Sequence, residues 1–288
     1  MSINRRNFFK VLGVTGVSLT TGTAIASRPE AGESETEFCG ILYDSTRCIG
    51  CQSCEYACAE THGLPEPTEF PDPAVVRKTD ETRRMVINAV TTDDGEIYVK
   101  KQCMHCNDPA CGAACLTKAI LKTEEGPVIW RSRKCMGCRY CMVSCPYDMP
   151  KFEYHSANPK IEKCDMCFDR VKEGGIPACA ESCPAEALTF GTRRELIAEA
   201  RKRIHDNPGQ YVDHIYGEHE AGGTGYLYIS PVPFEQLGFD TSLQKSSYPA
   251  LTKEFLYAVP AVFVLWPAML LGLQQATKNN NKNDHQNE

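Results

Sequence analysis

The chain has 288 residues, 17 of them cysteine, and a formal charge of -6. A hydrophobic share of 42% and a charged share of 24% exclude a wholly disordered chain, a collagen-like repeat and a polytopic membrane protein. The negative charge also argues against a nucleic-acid binder, which needs a basic face to meet phosphates.

In chain order, the first predicted element is a targeting segment. Asn4-Arg5-Arg6-Asn7-Phe8-Phe9-Lys10 precedes a weakly apolar stretch from Val11 to Ala26 that closes on Ala24-Ile25-Ala26. Paired arginines, a mild apolar core and an Ala-x-Ala close read as a twin-arginine export signal over residues 1–26; an ordinary basic start lacks that three-part order. Cleavage after Ala26 removes Arg5, Arg6 and Lys10 and no acid, so -6 becomes -9. Pro65 to Pro73 reads as a proline-rich loop. Arg83–Val90 and Glu96–Lys100 alternate like strands around Asp94-Gly95, a hairpin signal. Val128-Ile129-Trp130 is a short predicted strand. Thr192 and Glu195 form a capping-box pattern before a helix to about Ile204. Gly222-Gly223-Thr224-Gly225 reads as a turn, not a dinucleotide-binding fingerprint, which needs G-x-G-x-x-G between strand and helix. Phe255–Thr277 contains no Asp, Glu, Lys, Arg or His. As a helix it reaches about 34 Å, enough to cross a hydrocarbon core of about 30 Å, and it exceeds the usual length of a buried core helix. Pro260 and Pro267 lie seven apart, hence on nearly one face. Lys278 and Lys282 beyond it place the tail on the cytoplasmic side by the positive-inside rule.

Sixteen cysteines fall into four groups. Cys48, Cys51, Cys54 and Cys58 are spaced C-x2-C-x2-C-x3-C, and Cys135, Cys138, Cys141 and Cys145 repeat that spacing. Cys103, Cys106, Cys111 and Cys115 widen one gap to x4; Cys164, Cys167, Cys179 and Cys183 widen it to x11. This is the bacterial ferredoxin run, in which three thiolates hold one [4Fe-4S] cluster and the fourth reaches the neighbouring cluster. The proline that trails the run is present at Pro146 and Pro184, with Leu116 and Ala59 in its place elsewhere; proline ligates nothing, so ligation is expected to survive. Structural zinc draws pairs from two separate knuckles, and three cysteines at successive x2 intervals crowd one metal. A disulfide framework suits an exported chain but leaves the repeated spacing unexplained, and neighbours at x2 bridge poorly.

Pairing inner group with inner and outer with outer gives four expected ligand sets. The first is Cys48, Cys51, Cys54 and Cys183; the second is Cys58, Cys164, Cys167 and Cys179. The third is Cys103, Cys106, Cys111 and Cys145; the fourth is Cys115, Cys135, Cys138 and Cys141. Four oxidised clusters add about eight negative charges to the mature chain, giving about -17, so cations must lie close. Arg47, Lys100, Lys101, Lys134, Arg139, Lys151 and Lys163 stand within a few residues of a ligand. His105 lies between Cys103 and Cys106 and is expected as a donor to a ligand rather than a ligand, since sixteen cysteines already complete four sites. Cys39 fits no group, and no catalytic residue stands out.

The whole chain resembles the four-cluster iron-sulfur subunits of membrane-bound respiratory oxidoreductases, most of all the HybA-type subunit of uptake [NiFe] hydrogenases. The segments that carry the likeness are the twin-arginine start, LYDSTRCIGCQSC from Leu42, KKQCMHC from Lys100, CRYCMVSCPY from Cys138, GTRRELIAEA from Gly191, HIYGE from His214 and the terminal apolar span. Formate dehydrogenase subunits share the GGT turn and the terminal helix. Some members of the family replace a second-group cysteine and hold a three-iron cluster; here all four are present, so four [4Fe-4S] clusters are implied. The expected fold is α+β, a tandem ferredoxin-like domain with two cluster pairs and one C-terminal transmembrane helix. Its parts are the signal at 1–26, a four-cluster domain at 38–191 with an inner unit at about 100–155, a helix and strand extension at 192–248, the transmembrane helix at 255–273 and a polar tail at 274–288. The resemblance implies electron transfer between a periplasmic catalytic subunit, a hydrogenase or else a molybdopterin enzyme such as formate dehydrogenase, and an integral-membrane quinone-reactive subunit. A body of about 220 residues spans on the order of 40 Å, which four clusters divide into short hops. An enzyme with its own incompletely ligated cluster and a cysteine-rich storage module are the competing readings; complete fours argue against the first.

Overall fold

A computed structural model describes residues 37–284 except Asp94. The export signal expected at 1–26 and the last four residues of the tail lie outside the described residues. The described residues up to Leu251 form one compact unit, and the chain from Thr252 onward belongs to another.

The compact unit is built of short strands and short helices. β1 (Cys39–Asp44) leads to α1 (Ser53–His62), then to the hairpin β2 (Met85–Thr92) and β3 (Gly95–Gln102). α2 (Ala110–Ala113), β4 (Ile120–Lys122), β5 (Val128–Trp130), α3 (Tyr140–Ser144), β6 (Lys151–Phe152) and β7 (Ile161–Glu162) follow. α4 (Phe168–Lys172), α5 (Ala178–Glu181), β8 (Leu188–Thr192), α6 (Arg193–Asp206) and β9 (Tyr226–Ile229) complete it. The hairpin and the β5 strand form where the alternation predicts them. The Thr192 capping box also closes: Thr192 Oγ1 accepts from the Glu195 amide while the Glu195 carboxylate reaches back to the Thr192 backbone. Such a cap satisfies two otherwise orphaned donors at the start of α6.

The main sheet has the order β8-β1-β9, with β1 antiparallel to β8 and parallel to β9. Alternation along its strands splits the core in two. Ile41, Tyr43, Tyr226 and Tyr228 face one cluster of buried side chains that also holds Cys54, Cys58, Met166 and Cys179. Leu42, Leu227 and Ile229 face the other way, onto Leu196 and Ala200 of α6. A period of two puts successive side chains on opposite faces, so one strand serves both cores. A smaller core under β4, β5 and β7 gathers Cys111, Ile120, Val128, Cys141 and Ile161. α1 packs against α5, and α2 packs against α3.

One ion pair ties the outer helix to the hairpin. Glu55 of α1 accepts from Arg77 Nη1 at 2.8 Å and Nη2 at 2.7 Å, and from the Ile87 amide at 2.6 Å. Both side chains are almost fully buried, and the pairing is bidentate.

α7 (Tyr248–Asp284) carries the apolar stretch. Its helical backbone extends beyond the expected 255–273 at both ends and passes through Pro260 and Pro267 without a break. The apolar part, Tyr248–Gln275, is 28 residues. At 1.5 Å per residue it reaches about 42 Å, so by length and composition it can cross a membrane. Its large apolar side chains, Phe255, Phe263, Leu265 and Trp266 among them, are exposed, unlike those of a soluble core helix.

Replacing Arg77 by methionine leaves the Glu55 carboxylate buried without its partner. The expected cost is about 3–5 kcal/mol, seen as a fall in the thermal unfolding midpoint of the intact protein; an unchanged midpoint contradicts the role given to this pair.

Candidate functional site

Each cysteine group is shaped by the same backbone device. The residue just before the second cysteine has positive φ in all four: Gly50 at 69°, His105 at 50°, Gly137 at 72° and Met166 at 58°. A left-handed residue there reverses the chain inside C-x2-C, so both thiols turn to one side. In the fourth group the turn also sends the Met166 amide to Cys164 Sγ at 3.3 Å. Glycine adopts this conformation freely, whereas histidine and methionine carry a strain of about 1–2 kcal/mol that the surrounding structure must hold. At Gly50 space is also limiting, because a Cβ there would overlap the Tyr98 ring.

A second turn lies three residues past the closing cysteine in three groups, at Lys118, Asp148 and Glu186, each with positive φ. Their amides bond back to the carbonyls of Cys115, Cys145 and Cys183. Leu116 therefore supports the same turn as Pro146 and Pro184. In the first group Ala59 lets α1 run on to His62, because no proline interrupts it.

The folded chain gathers eight of the grouped cysteines around two cavities. Cys48, Cys51, Cys54 and Cys183 line one cavity with Tyr43 and Leu188. Cys115, Cys135, Cys138 and Cys141 line another with Ile120 and Trp130. Cys58 has Cys179 and Cys167 as its thiol neighbours, and Cys164 has Cys58 and Cys179. Cys106 faces Cys103, Cys145 and Cys111. Cys39 stands outside these sets, half-buried beside Lys122.

Burial dominates the electrostatics of these thiols. It pushes Cys58 and Cys111 up to about 12 and Cys141 to about 11, and in each case crowding by other thiols pushes the same way. Cys115 is the exception: burial raises it, but the Ile120 amide, the Thr117 hydroxyl and the Ala119 amide outweigh that and leave it lowered. Two lysines are placed inside this field. Lys100 is wholly buried, donates to Tyr226 Oη at 2.8 Å and to Gln102 Oε1 at 3.2 Å, and stands among Cys179, Cys54, Cys164 and Cys58. Burial opposes its charge, but the pull of those cysteine sulfurs prevails and its pKa is raised. Lys163 donates to the carbonyls of Val128 and Cys164; burial again opposes its charge, and Cys103, Cys111 and Cys164 prevail.

The other cations expected near ligands take other work. Arg47 pairs with Asp44, Lys151 with Asp148, Lys101 donates to the Gly238 carbonyl, and Arg139 lies over the Phe152 ring. Lys134 is exposed.

His105 is fully buried, and burial holds its pKa well below the usual value. Its Nδ1 accepts from the Val128 amide at 2.9 Å, so the proton sits on Nε2, which donates to Cys164 Sγ at 3.5 Å. It is thus a thiol donor, as expected, but to a cysteine outside its own sequence group. Three residues at the site carry no sequence signal strong enough to single them out. His62 brings Nε2 to 3.6 Å from Cys167 Sγ; its only local hint is that it follows Cys58 by four residues on one helix. Lys122 donates to the His105 carbonyl at 3.0 Å, and burial lowers its pKa to about 8. Tyr43 is buried against Cys48.

The donor sets fit iron-sulfur clusters. Four soft thiolates around one centre suit iron or zinc, but a lone zinc ion does not call for the extra donors found here. Trp130 Nε1 and Tyr147 Oη are buried with no hydrogen-bond partner. Trp130 lines the cavity of Cys115, Cys135, Cys138 and Cys141, and Tyr147 adjoins Cys106 and Cys145. Inorganic sulfide in a cluster offers such donors an acceptor, as buried polar groups require.

Comparison with known proteins agrees with this chemistry. The family model for a 4Fe-4S dicluster domain matches residues 95–193. A protein of Nitratidesulfovibrio vulgaris is 43% identical over 97% of this chain and 78% of its own length. The hydrogenase-2 operon protein HybA of Escherichia coli O157:H7 is 35% identical over 98% of this chain and 97% of its own. The formate dehydrogenase-O iron-sulfur subunit of Escherichia coli K12 is 32% identical over 74% and 72%. With ferredoxin-like cysteine loops and a full-length likeness of this kind, the chain belongs to the family of [4Fe-4S] ferredoxin-like electron-transfer subunits of the HybA type.

Proposed function

We propose that this chain holds four [4Fe-4S] clusters in the four cysteine sets given above and relays electrons between a catalytic subunit and a membrane partner. The observation that carries the reading is the convergence of each set from separate segments: Cys183 joins Cys48, Cys51 and Cys54 around one cavity, and Cys115 joins Cys135, Cys138 and Cys141 around another. When bound, each cluster supplies reversible one-electron exchange. The protein's own part is to hold and order the sites. Cys54 of the first set neighbours Cys179 of the second, Lys163 lies between Cys164 of the second and Cys103 of the third, and Cys111 of the third neighbours Cys141 of the fourth. That supports a line in the order first, second, third, fourth. Cys51 and Cys138 are the exposed cysteines, so each end of the line has a ligand at the surface.

The two inner sets, third and fourth, make one pair and the two outer sets another, which supports a tandem ferredoxin-like body over 38–191 with residues 192–248 packed on it. The apolar helix supports a single membrane crossing at about 255–273. Export by the twin-arginine route would put the body on the periplasmic face with the tail in the cytoplasm. The likeness to HybA over nearly both whole chains favours a [NiFe] hydrogenase as catalytic partner, with a quinone-reactive membrane subunit at the other end. A formate dehydrogenase is the second reading, favoured by the shorter match to the iron-sulfur subunit of that enzyme.

Extracted anaerobically from membranes, the complex should carry about sixteen irons on this chain, at four per cluster. Its broad visible absorbance should bleach under hydrogen. Bleaching under formate alone would assign the second reading, and an iron content near eight would contradict four clusters. Cys58→Ser should alter the spectrum of the cluster held by Cys164, Cys167 and Cys179 and spare the one held by Cys48, Cys51 and Cys54; the reverse result refutes the pairing. Lys100→Met should lower the midpoint potentials of the first and second clusters together, since a buried cation favours the more negative reduced state; potentials that stay put in redox titration contradict that placement.

A further inference from the structure

We propose that His62 and His105 form a pair of neutral imidazole donors that converge on the second cysteine set and hold up the reduction potential of the cluster bound there. The inference rests on the ligand sets proposed above.

The two histidines come from different elements. His62 ends α1, whereas His105 sits in the loop of the second cysteine group. Each has its tautomer fixed by a donor behind it. The Val128 amide gives its hydrogen to His105 Nδ1 at 2.9 Å, and Arg84 Nη1 gives one to His62 Nδ1 at 3.0 Å. Neither an amide nor a guanidinium accepts a hydrogen bond, so in both rings the proton must lie on Nε2. Nε2 of His105 is 3.5 Å from Cys164 Sγ, and Nε2 of His62 is 3.6 Å from Cys167 Sγ. Asp165 Oδ1 stands 3.4 Å from the same His62 nitrogen. Arg84 is in turn held by Glu162 Oε2 and Asp165 Oδ2, both at 2.8 Å, so His62 is oriented by a network rather than by chance of rotamer. Arg84 is a positioning residue in this arrangement.

Among the described residues, no other cysteine set receives an imidazole hydrogen bond. A hydrogen bond to a ligating sulfur stabilises the reduced state, whose extra electron is shared with the thiolates, more than the oxidised state, and so raises the potential. Burial works the other way, because it disfavours the added charge. The second set is largely buried, and the two imidazoles offset that penalty at the position that meets the first set through Cys54 and Cys179 and the third through Lys163. The donors act without a change of charge on the protein, which separates them from Lys100.

The test uses the intact complex, purified anaerobically, poised at a series of potentials and followed by electron paramagnetic resonance. Cys164→Ser and Cys167→Ser first identify the spectral component of the second set. His62→Leu should shift the midpoint of that component to lower potential and leave the other three in place. His105→Leu should shift the same component in the same direction, and His62→Gln, which keeps an N–H donor, should restore much of the shift. A component unmoved in His62→Leu at full iron content overturns the proposal. His105 is fully buried, so if its variant does not accumulate, the His62 variants decide alone. Should Cys164→Ser and Cys167→Ser alter two different components, it is the ligand set that has failed, and the convergence falls with it.

Discussion

Thiols crowded into a protein interior, as Cys54, Cys58, Cys103, Cys111, Cys141, Cys167 and Cys179 are, make a problem of charge before they make a site. Burial and mutual crowding push Cys58 and Cys111 up to about 12, so an ordinary hydrophobic core would keep such thiols protonated and uncoordinated. Iron reverses that balance, because a bound metal is the largest local charge and deprotonates its thiol outright. The rest of the molecule follows from the need to keep that arrangement soluble, rigid and correctly charged. Lys100 and Lys163 lie where two sets share a cation, which is an economical answer to a field spread over several centres. A lysine fully enclosed by protein is rare unless paired, and here the pairing is with sulfur rather than carboxylate.

The scaffold does little besides hold those loops. Its helices at the cysteines run only four or five residues at α2, α3, α4 and α5, too short to be stable by themselves. Stability comes instead from the β8-β1-β9 sheet, whose alternation serves two cores, and from the Glu55–Arg77 pair that fastens α1 to the hairpin. In the larger core Tyr216 packs with Tyr228, Phe234 and Phe239, and Tyr228 with Phe239, in tilted and edge-on contacts. Such geometry fixes ring orientations more firmly than aliphatic packing would.

What the sequence made legible was local. The C-x2-C spacing, the Asp94-Gly95 hairpin, the strand at Val128 and the Thr192 cap each depend on neighbours within a few residues, so their chemistry could be read in order. The turn after Leu116 was not read from the sequence; it rests on the Lys118 backbone. The long-range partners were not legible either. His105 looked like a companion of Cys103 and Cys106 but reaches Cys164, because the left-handed backbone at His105 turns its ring away from its own group. His62 and Lys122 sit in unremarkable local sequence, and only the packed fold brings them to sulfur. The helix beyond Thr277 was not legible because residues 278–283 are rich in asparagine, of weak helix propensity, and a helix already nucleated extends more readily than one begun there.

The position of β1 has a temporal consequence. Among the described residues it is the first strand, yet it lies between the two that follow latest in the sheet, and Ser45 Oγ bonds the Ile229 carbonyl across 184 residues. Chains emerge from the ribosome N-terminus first, and pairings this distant pay their loop-closure entropy before they return anything. For most of its synthesis the nascent chain therefore exposes an unpaired strand edge beside a growing set of free thiols, a species open to oxidation and to edge-to-edge association. Only when Tyr226–Ile229 has emerged can the sheet close, so the central strand and the thiols beside it stay open until nearly the whole compact unit has been made.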